Sequence, residues 1–235
     1  MAFSFRRQQK RPDNMLPPGW QFYSRPTNLE GPGTVFRIDK DGTRIIVGRL
    51  APVTDSGPEP GMSKVESIEM KIGIMARLLG LEAWNADVSG SKVKTLEFEL
   101  TRPVRESTTD QNMDAVLKPF VAGMEFRPKN RYFVVREVRS AEAMKYRLSN
   151  DQLGELGGKA AVSAVLTVGT TLSAKSADVY DLAQTFPERL GVMFLPEEIV
   201  PATSALGGRE TETELGRVPV ERTLDWVESS EPVGA

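Results

Sequence analysis

Apolar and polar residues alternate along residues 92–101, which predicts a β-strand with two unlike faces. Successive side chains of a strand point to opposite sides of the sheet. The apolar side carries Leu96, Phe98 and Leu100. The polar side carries Glu97 and Glu99. Residues 132–138 and 144–148 repeat the alternation, and a short connection is predicted between them at residues 140–142.

Two classes of protein use this alternation. A soluble antiparallel sheet buries one face and exposes the other to water. A membrane-barrel strand alternates between lipid and water over about 9 to 11 residues. From the pattern alone, Glu97 and Glu99 are interpreted as the wet face of a soluble sheet, with a channel lining as the alternative.

The remaining elements predict a mixed α+β domain. Asp41-Gly42 is suited to a tight turn, so residues 34–39 and 43–50 are predicted to form a hairpin rather than a calcium loop. Apolar residues at helical spacing predict a packed surface helix over residues 110–124, which Pro119 should bend or interrupt. A short helix is predicted over residues 71–81. Further strands are predicted at residues 159–168, 170–174, 178–182 and 189–195.

The chain is long enough for one large domain flanked by two appendages. Residues 1–28 form a proline-interrupted arm with four basic residues, Arg6, Arg7, Lys10 and Arg11. Residues 29–200 form the domain. Residues 201–235, called the tail below, are rich in glutamate and carry one apolar island, Leu224, Trp226 and Val227. Two interpretations of the tail remain open. It is either a latch docked on the domain or an unfolded tether with one exposed aromatic side chain.

Composition excludes several kinds of chemistry. The chain has no cysteine and no histidine, which removes thiolate sites, most zinc sites and histidine-assisted nucleophiles. Glu197 and Glu198 are adjacent, so their side chains should diverge, and a solvent-exposed pair is expected. Composition leaves a carboxylate- or lysine-dependent enzyme open. No converging group of acidic residues can be assembled from the spacing, so we predict a non-enzyme with no catalytic residue, metal or cofactor. A formal net charge of -2 gives no support for nucleic-acid binding.

No secretory signal or spanning helix is evident, which predicts a cytoplasmic protein that meets membranes only after rearrangement or by surface attachment. Residues 131–138 (RYFVVREV) and 144–148 (MKYRL) are the most distinctive run. Together with residues 96–100 and the helix near residues 117–124, both of which precede it in the sequence, this run resembles the N-terminal pore-forming domain of gasdermins, most closely the compact microbial and fungal forms. The resemblance spans about residues 29–201. It implies a twisted, mainly antiparallel central sheet with short surrounding helices.

The resemblance also implies a function. A gasdermin-like effector of cell death would bind an acidic phospholipid membrane, oligomerise with itself, and convert residues 65–100 and 146–182 into transmembrane hairpins. A closed ring of strands satisfies backbone hydrogen bonding in lipid. Lipid contact is assigned to Arg6, Arg7, Lys10 and Arg11, with a solvated terminal segment as the alternative. Contact with acyl chains is assigned to Leu96, Phe98 and Leu100.

Two departures from the family pattern bear on regulation. The chain lacks the N-terminal cysteine that many bacterial relatives use for lipid attachment, and only the tail could replace the large repressor domain of animal members. Activation is expected either from proteolytic removal of the tail or from a divergent partner protein. The protein would be cytoplasmic when inactive and at the plasma membrane when active. The alternative function is a soluble scaffold that binds another protein through its sheet.

Overall fold

The structure is a computed structural model. It describes residues 19–59, 70–71, 92–93, 97–127, 129–149, 170–176, 179–201, 215–220, 224 and 227–228. The predicted helix over residues 71–81 and the predicted strand over residues 159–168 lie outside these ranges.

Thirteen strands and one helix are described. The first eight strands are β1 (Gln21–Thr27), β2 (Thr34–Ile38), β3 (Thr43–Arg49), β4 (Asp55–Pro58), β5 (Met70–Lys71), β6 (Lys92–Val93), β7 (Glu97–Thr101) and β8 (Val104–Ser107). Helix α1 spans Asp110–Ala122. The remaining strands are β9 (Arg131–Ser149), β10 (Thr170–Ser176), β11 (Val179–Pro201), β12 (Leu215–Pro219) and β13 (Val227–Glu228).

Eleven of the described strands form one sheet. Its main path runs β1-β11-β9-β2-β3-β13. The pairs along it are antiparallel except β13 with β3, which is parallel. Strands β7 and β8 pair with β9, β4 pairs with β8, and β10 and β12 pair with β11. The mainly antiparallel sheet that was expected for the α+β class is confirmed. Short surrounding helices were also expected, and the described residues contain one helix, α1.

Strands β9 and β11 organise the sheet. They are 19 and 23 residues long, whereas strands in globular proteins are usually 3–10 residues long. The predicted connection at residues 140–142 is therefore wrong, because Ser140 is paired with Val104 on one side and with Gly191 on the other. The two separate strands predicted at 178–182 and 189–195 are likewise parts of β11.

The core lies on both faces of the central strands. Phe133 and Val134 are neighbours on β9 and point to opposite faces. Phe133 belongs to a cluster with Tyr23, Phe36, Val135, Val138, Phe194, Val220 and Leu224. Val134 belongs to a cluster with Val35, Tyr132, Ile199 and three residues of α1, Met113, Leu117 and Val121. The helix therefore covers one face, and part of the tail lies against the other.

Local chemistry sets the helix and the first hairpin. Thr109 caps α1, its hydroxyl accepting from the backbone N–H of Asn112 at 3.3 Å. The predicted helix is confirmed and continues through Pro119 to Ala122, so of the two expected effects of this proline, a bend or an interruption, the interruption is wrong. In the hairpin, Gly42 has φ +83, a left-handed conformation that suits glycine. Thr43 N–H donates to the Asp41 carboxylate at 3.0 Å, which confirms the predicted turn.

Candidate functional site: a two-faced ribbon and a docked tail

Four strands form an antiparallel ribbon at one end of the sheet, in the order β7-β9-β11-β10. The ribbon consists of β7, residues 143–149 of β9, residues 179–185 of β11, and β10. Among the described residues, the outer edges of β7 and β10 have no strand partner. An open edge is a template for pairing with another strand.

The two faces of the ribbon differ in polarity. On one face Leu100 pairs with Met144, and these two side chains and Leu182 are buried. On the other face Glu99 lies 3.8 Å from Lys145, and Arg147 lies 3.0 Å from Asp181. The alternation predicted from the sequence thus holds across neighbouring strands, and Glu99 lies on the wet face, as expected.

Regular pairing is interrupted where the ribbon joins the rest of the sheet. Thr185 of β11 pairs with Ala143, but the next pair is Leu190 with Ala141, so residues 186–189 and Glu142 have no opposite residue. Glu142 accepts hydrogen bonds from Arg102 at 3.2 Å and from Arg189 at 3.0 Å. Arg102 itself has φ +48. We call this region, which comprises Arg102, Glu142 and residues 186–189, the junction. Its irregular pairing lowers the cost of bending the ribbon relative to the core.

The tail returns to the domain as strand β12. It pairs with residues 197–201 of β11, from Pro201 with Leu215 to Glu197 with Pro219. Strand β12 therefore occupies an edge of β11 that would otherwise be open in the described structure.

An ionic cluster fixes this tail strand to the domain. Arg217 of β12 donates to Glu197 of β11 at 2.5 Å and to Asp110 and Asp114 of α1 at 3.0 and 3.1 Å. Arg136 of β9 contacts Glu197 at 3.0 Å and also Asp110. The side chains of Arg217 and Glu197 are only 10% and 12% exposed. The expected exposure to solvent is therefore wrong for Glu197. The expected divergence of the two side chains is confirmed, because Glu198 binds Arg131 instead.

The cluster shifts the ionisation of Asp110. Hydrogen bonds from Arg136 and then from Arg217 hold the pKa of this carboxyl below its ordinary value. A β-bulge positions Arg136: Leu195 pairs with Glu137 and Pro196 with Val135, so Arg136 is the extra residue on β9.

A second anchor of the tail is apolar. Val220 and Leu224 are buried, and both belong to the Phe133 cluster. The backbone N–H of Leu224 donates to the buried Gln21 side chain at 2.9 Å. Gly19, with φ +84, leaves room for this packing, because a Cβ there would lie 2.5 Å from the Val220 carbonyl oxygen.

The predicted site residues are distributed as follows. Arg6, Arg7, Lys10, Arg11, Leu96 and Trp226 lie outside the described residues. The backbone of Phe98 lies in β7, and the side chain of Leu100 is buried on the apolar face. Leu224 is 4% exposed, and Val227 pairs with Thr43 through β13. Contact with acyl chains, lipid binding by the arm and inhibition by the tail stay predictions.

Sequence reasoning missed the ionic cluster. Arg136 and Glu137 interrupt an apolar run whose strand is covered on both faces, and a charge in such a place needs a buried partner. That was the available signal. No local sequence pattern indicated the role of Arg217, because its partners lie 20 residues or more away in the sequence.

The described residues contain neither a membrane-spanning helix nor a cluster of metal ligands. Within the part of the chain that the structure describes, no helix is long and apolar enough to cross a membrane. Over the same residues, no group of three or more potential ligands is placed to hold a metal ion.

Comparison with known proteins rests on the fold. No protein-family model matches the chain, and no curated protein matches it. The structure of a bacterial gasdermin from Bradyrhizobium tropiciagri is similar, with a TM-score of 0.54 and 18% sequence identity. The match covers 90% of this chain and 93% of that one. The resemblance inferred from the sequence is thereby confirmed at the level of architecture, and the chain has a gasdermin-like fold.

Proposed function

We propose that this protein permeabilises membranes as a gasdermin-like effector of cell death. The observation that carries the proposal is the two-faced ribbon, which has an apolar face, a charged face and two open outer edges among the described residues. Edge-to-edge pairing of ribbons from several copies would satisfy the backbone and close a ring. Lipid would then contact the face that carries Leu100, and water the face that carries Glu99.

Insertion requires more strand than the ribbon now has. Strands β7 and β10 are five and seven residues long, whereas a strand that crosses a bilayer needs about 9 to 11. Residues that flank the ribbon, within 65–100 and 146–182, would therefore have to join its strands. The irregular junction supports such a rearrangement, because residues 186–189 and Glu142 have no opposite residue where the ribbon meets the core.

The docked tail supports a latch. Strand β12 covers an edge of β11, and Leu224 completes a core cluster. Loss of the tail would open that edge and leave an apolar gap, which favours association with other copies or with lipid. Proteolytic cleavage and displacement by a divergent partner protein would both produce this state.

The proposal includes partners and location. An acidic phospholipid membrane and other copies of the chain are the partners, with the arm residues Arg6, Arg7, Lys10 and Arg11 adding electrostatic attraction. The protein would reside in the cytoplasm with its tail docked and act at the plasma membrane after release. No enzymatic step is required.

Dye release from vesicles tests this function. Full-length protein and a variant ending at Pro201 are added to vesicles that contain an anionic phospholipid. We expect leakage from the truncated form and little from the full-length form. Absence of leakage from both forms, with and without anionic lipid, would favour the scaffold alternative.

A further inference from the structure

A cleft of about 320 Å³ lies between the segment that follows α1 and the end of β11. Three cations (Arg127, Lys129 and Arg131) and one carboxylate (Glu198) line it, together with Phe126, Asn130, Tyr132, Ile199 and Val200. It lies beside the docked tail strand, because Val200 pairs with Gly216 of β12. Neither the ribbon nor the ionic cluster contributes to it.

Two cations at this cleft have no carboxylate partner among the described residues. Arg127 and Lys129 are exposed and form no ion pair within the described residues, whereas most described arginines do. Lys129 has φ +75, a left-handed conformation that is uncommon for a residue with a side chain. The N–H of Asn130 donates to the Arg127 carbonyl at 3.2 Å and closes a turn around it. The turn presents the two cations at the same cleft.

Two further donors are held in place by their own partners. Arg131 donates from Nε and Nη2 to Glu198 at 2.8 and 2.6 Å, so its Nη1 hydrogens have no acceptor among the described residues. The Tyr132 hydroxyl oxygen accepts from the backbone N–H of Arg127 at 3.0 Å. Its own hydrogen has no acceptor in the described structure. These donors and cations suit an oxyanion such as phosphate.

Apolar side chains beside the cleft indicate where the phosphate would come from. Val200 and Val218 are 41% and 50% exposed, and they are two of four large hydrophobic side chains that are exposed in the described part of the chain. They lie on paired strands, with Val218 opposite Glu198. Side chains two residues apart on a strand share a face, so both valines lie on the face of Glu198. Cations next to exposed apolar side chains are typical of a surface that rests on a bilayer.

We propose that the intact protein, with its tail docked, binds phosphate groups of anionic phospholipids through this cleft while Val200 and Val218 contact the lipid interface. The inference rests on the proposed membrane function and specifies a binding step that precedes tail release, since Val218 belongs to the tail strand. It requires neither the basic arm nor insertion of the ribbon. Such peripheral binding is reversible, so the inactive protein would exchange between the cytoplasm and the cytoplasmic face of the membrane before its tail is released.

Sedimentation of the intact protein with vesicles tests the inference. Vesicles of phosphatidylcholine with phosphatidic acid are compared with vesicles of phosphatidylcholine alone. The test variant is Arg127→Ala/Lys129→Ala. The matched control is Lys40→Ala/Arg49→Ala, which removes two exposed cations that also lack a carboxylate partner within the described residues. We expect binding to the anionic vesicles to fall roughly 30-fold in the test variant, because each basic residue near an anionic surface contributes about a factor of five.

Several outcomes would overturn the inference. These are equal loss of binding in the control variant, unchanged binding in the test variant, and binding of inorganic phosphate without binding of anionic vesicles. Dye release by the form ending at Pro201 is a separate readout. If that form leaks but the intact protein does not bind vesicles, this inference fails and the proposed function stands. If the intact protein binds through the cleft but the truncated form never causes leakage, this inference stands and the proposed function fails.

Discussion

Arg217 of the tail lies 2.5 Å from Glu197 of β11, and both side chains are largely shielded from water. The same guanidinium contacts two carboxylates of α1. One tail residue therefore joins three elements that are distant in sequence. A partly buried ion pair of this kind is costly to break, because removal of one partner leaves the other charge without compensation.

Replacement of Arg217 by alanine should loosen the tail. Because Arg136 still compensates Glu197, we expect a cost of about 2 kcal/mol rather than the full penalty of an orphaned buried charge. Hydrogen exchange of the β12 amides should then accelerate roughly 30-fold if they exchange by local opening. Arg105→Ala is the matched control, since Arg105 forms a two-bonded pair with Glu137 that does not involve the tail. Equal acceleration of β12 in both variants would contradict the clamp.

The apolar anchor gives a second prediction. Leu224→Ala removes a buried side chain from the core cluster and should lower the free energy of unfolding by about 2–5 kcal/mol. Urea unfolding measures the change. Val53→Ala, at a side chain that is 69% exposed, should change it by no more than about 0.5 kcal/mol. Should the two variants have the same stability, Leu224 does not hold the tail in solution.

The lowered pKa of Asp110 predicts a response to acid. A carboxyl whose pKa is lower in the folded state adds stability above its unfolded value of 3.8, and this contribution is lost as pH falls through the folded value. Tail docking should therefore weaken below about pH 4, with no contribution from Asp110 to changes between pH 6 and 8. Exchange of the β12 amides in Asp110→Asn, compared with the parent across this range, checks it. An equally steep acid response in the variant would assign the effect to other groups.

The two faces of the ribbon predict an alternating response to lipid. Leu172 pairs with Leu182 on the apolar face, and the neighbouring Ser173 faces the other way. The chain has no cysteine, so Leu172→Cys and Ser173→Cys each give a single labelling site for a polarity-sensitive dye. With the form ending at Pro201 on anionic vesicles, the dye at position 172 should shift to the blue. The dye at position 173 should keep the emission spectrum of a dye exposed to water. The same response at both positions would contradict insertion of a two-faced ribbon.

Local chemistry made part of this structure predictable. Asp41-Gly42 determines its own turn, apolar residues at helical spacing indicated the helix over residues 110–124, and alternation assigned Leu100 and Glu99 to opposite faces. Each of these features depends on residues close together in sequence. The same reasoning identified Leu224 as part of an island able to dock, but not the pocket that receives it.

The long strands and the clamp were not predictable in this way. Ser140 and Ala141 suggest a break, yet β8 and β11 pair with this stretch from both sides and keep it extended. Tertiary pairing thus overrode a weak local preference. The partners of Arg217 come from α1 and β11, and no local pattern specifies which distant carboxylates an arginine will meet.

A reversible lock on the tail tests the central claim most directly. A Cβ at Gly216 would lie 3.9 Å from the Val200 Cβ, within the range of about 3.5–4.5 Å for a disulfide. Val200→Cys/Gly216→Cys, in a chain with a protease site placed within residues 202–214, is cleaved and added to anionic vesicles with trapped dye. We predict no dye release while the disulfide is oxidised and rapid release after reduction. Equal release in both states, or none after reduction, would contradict the account.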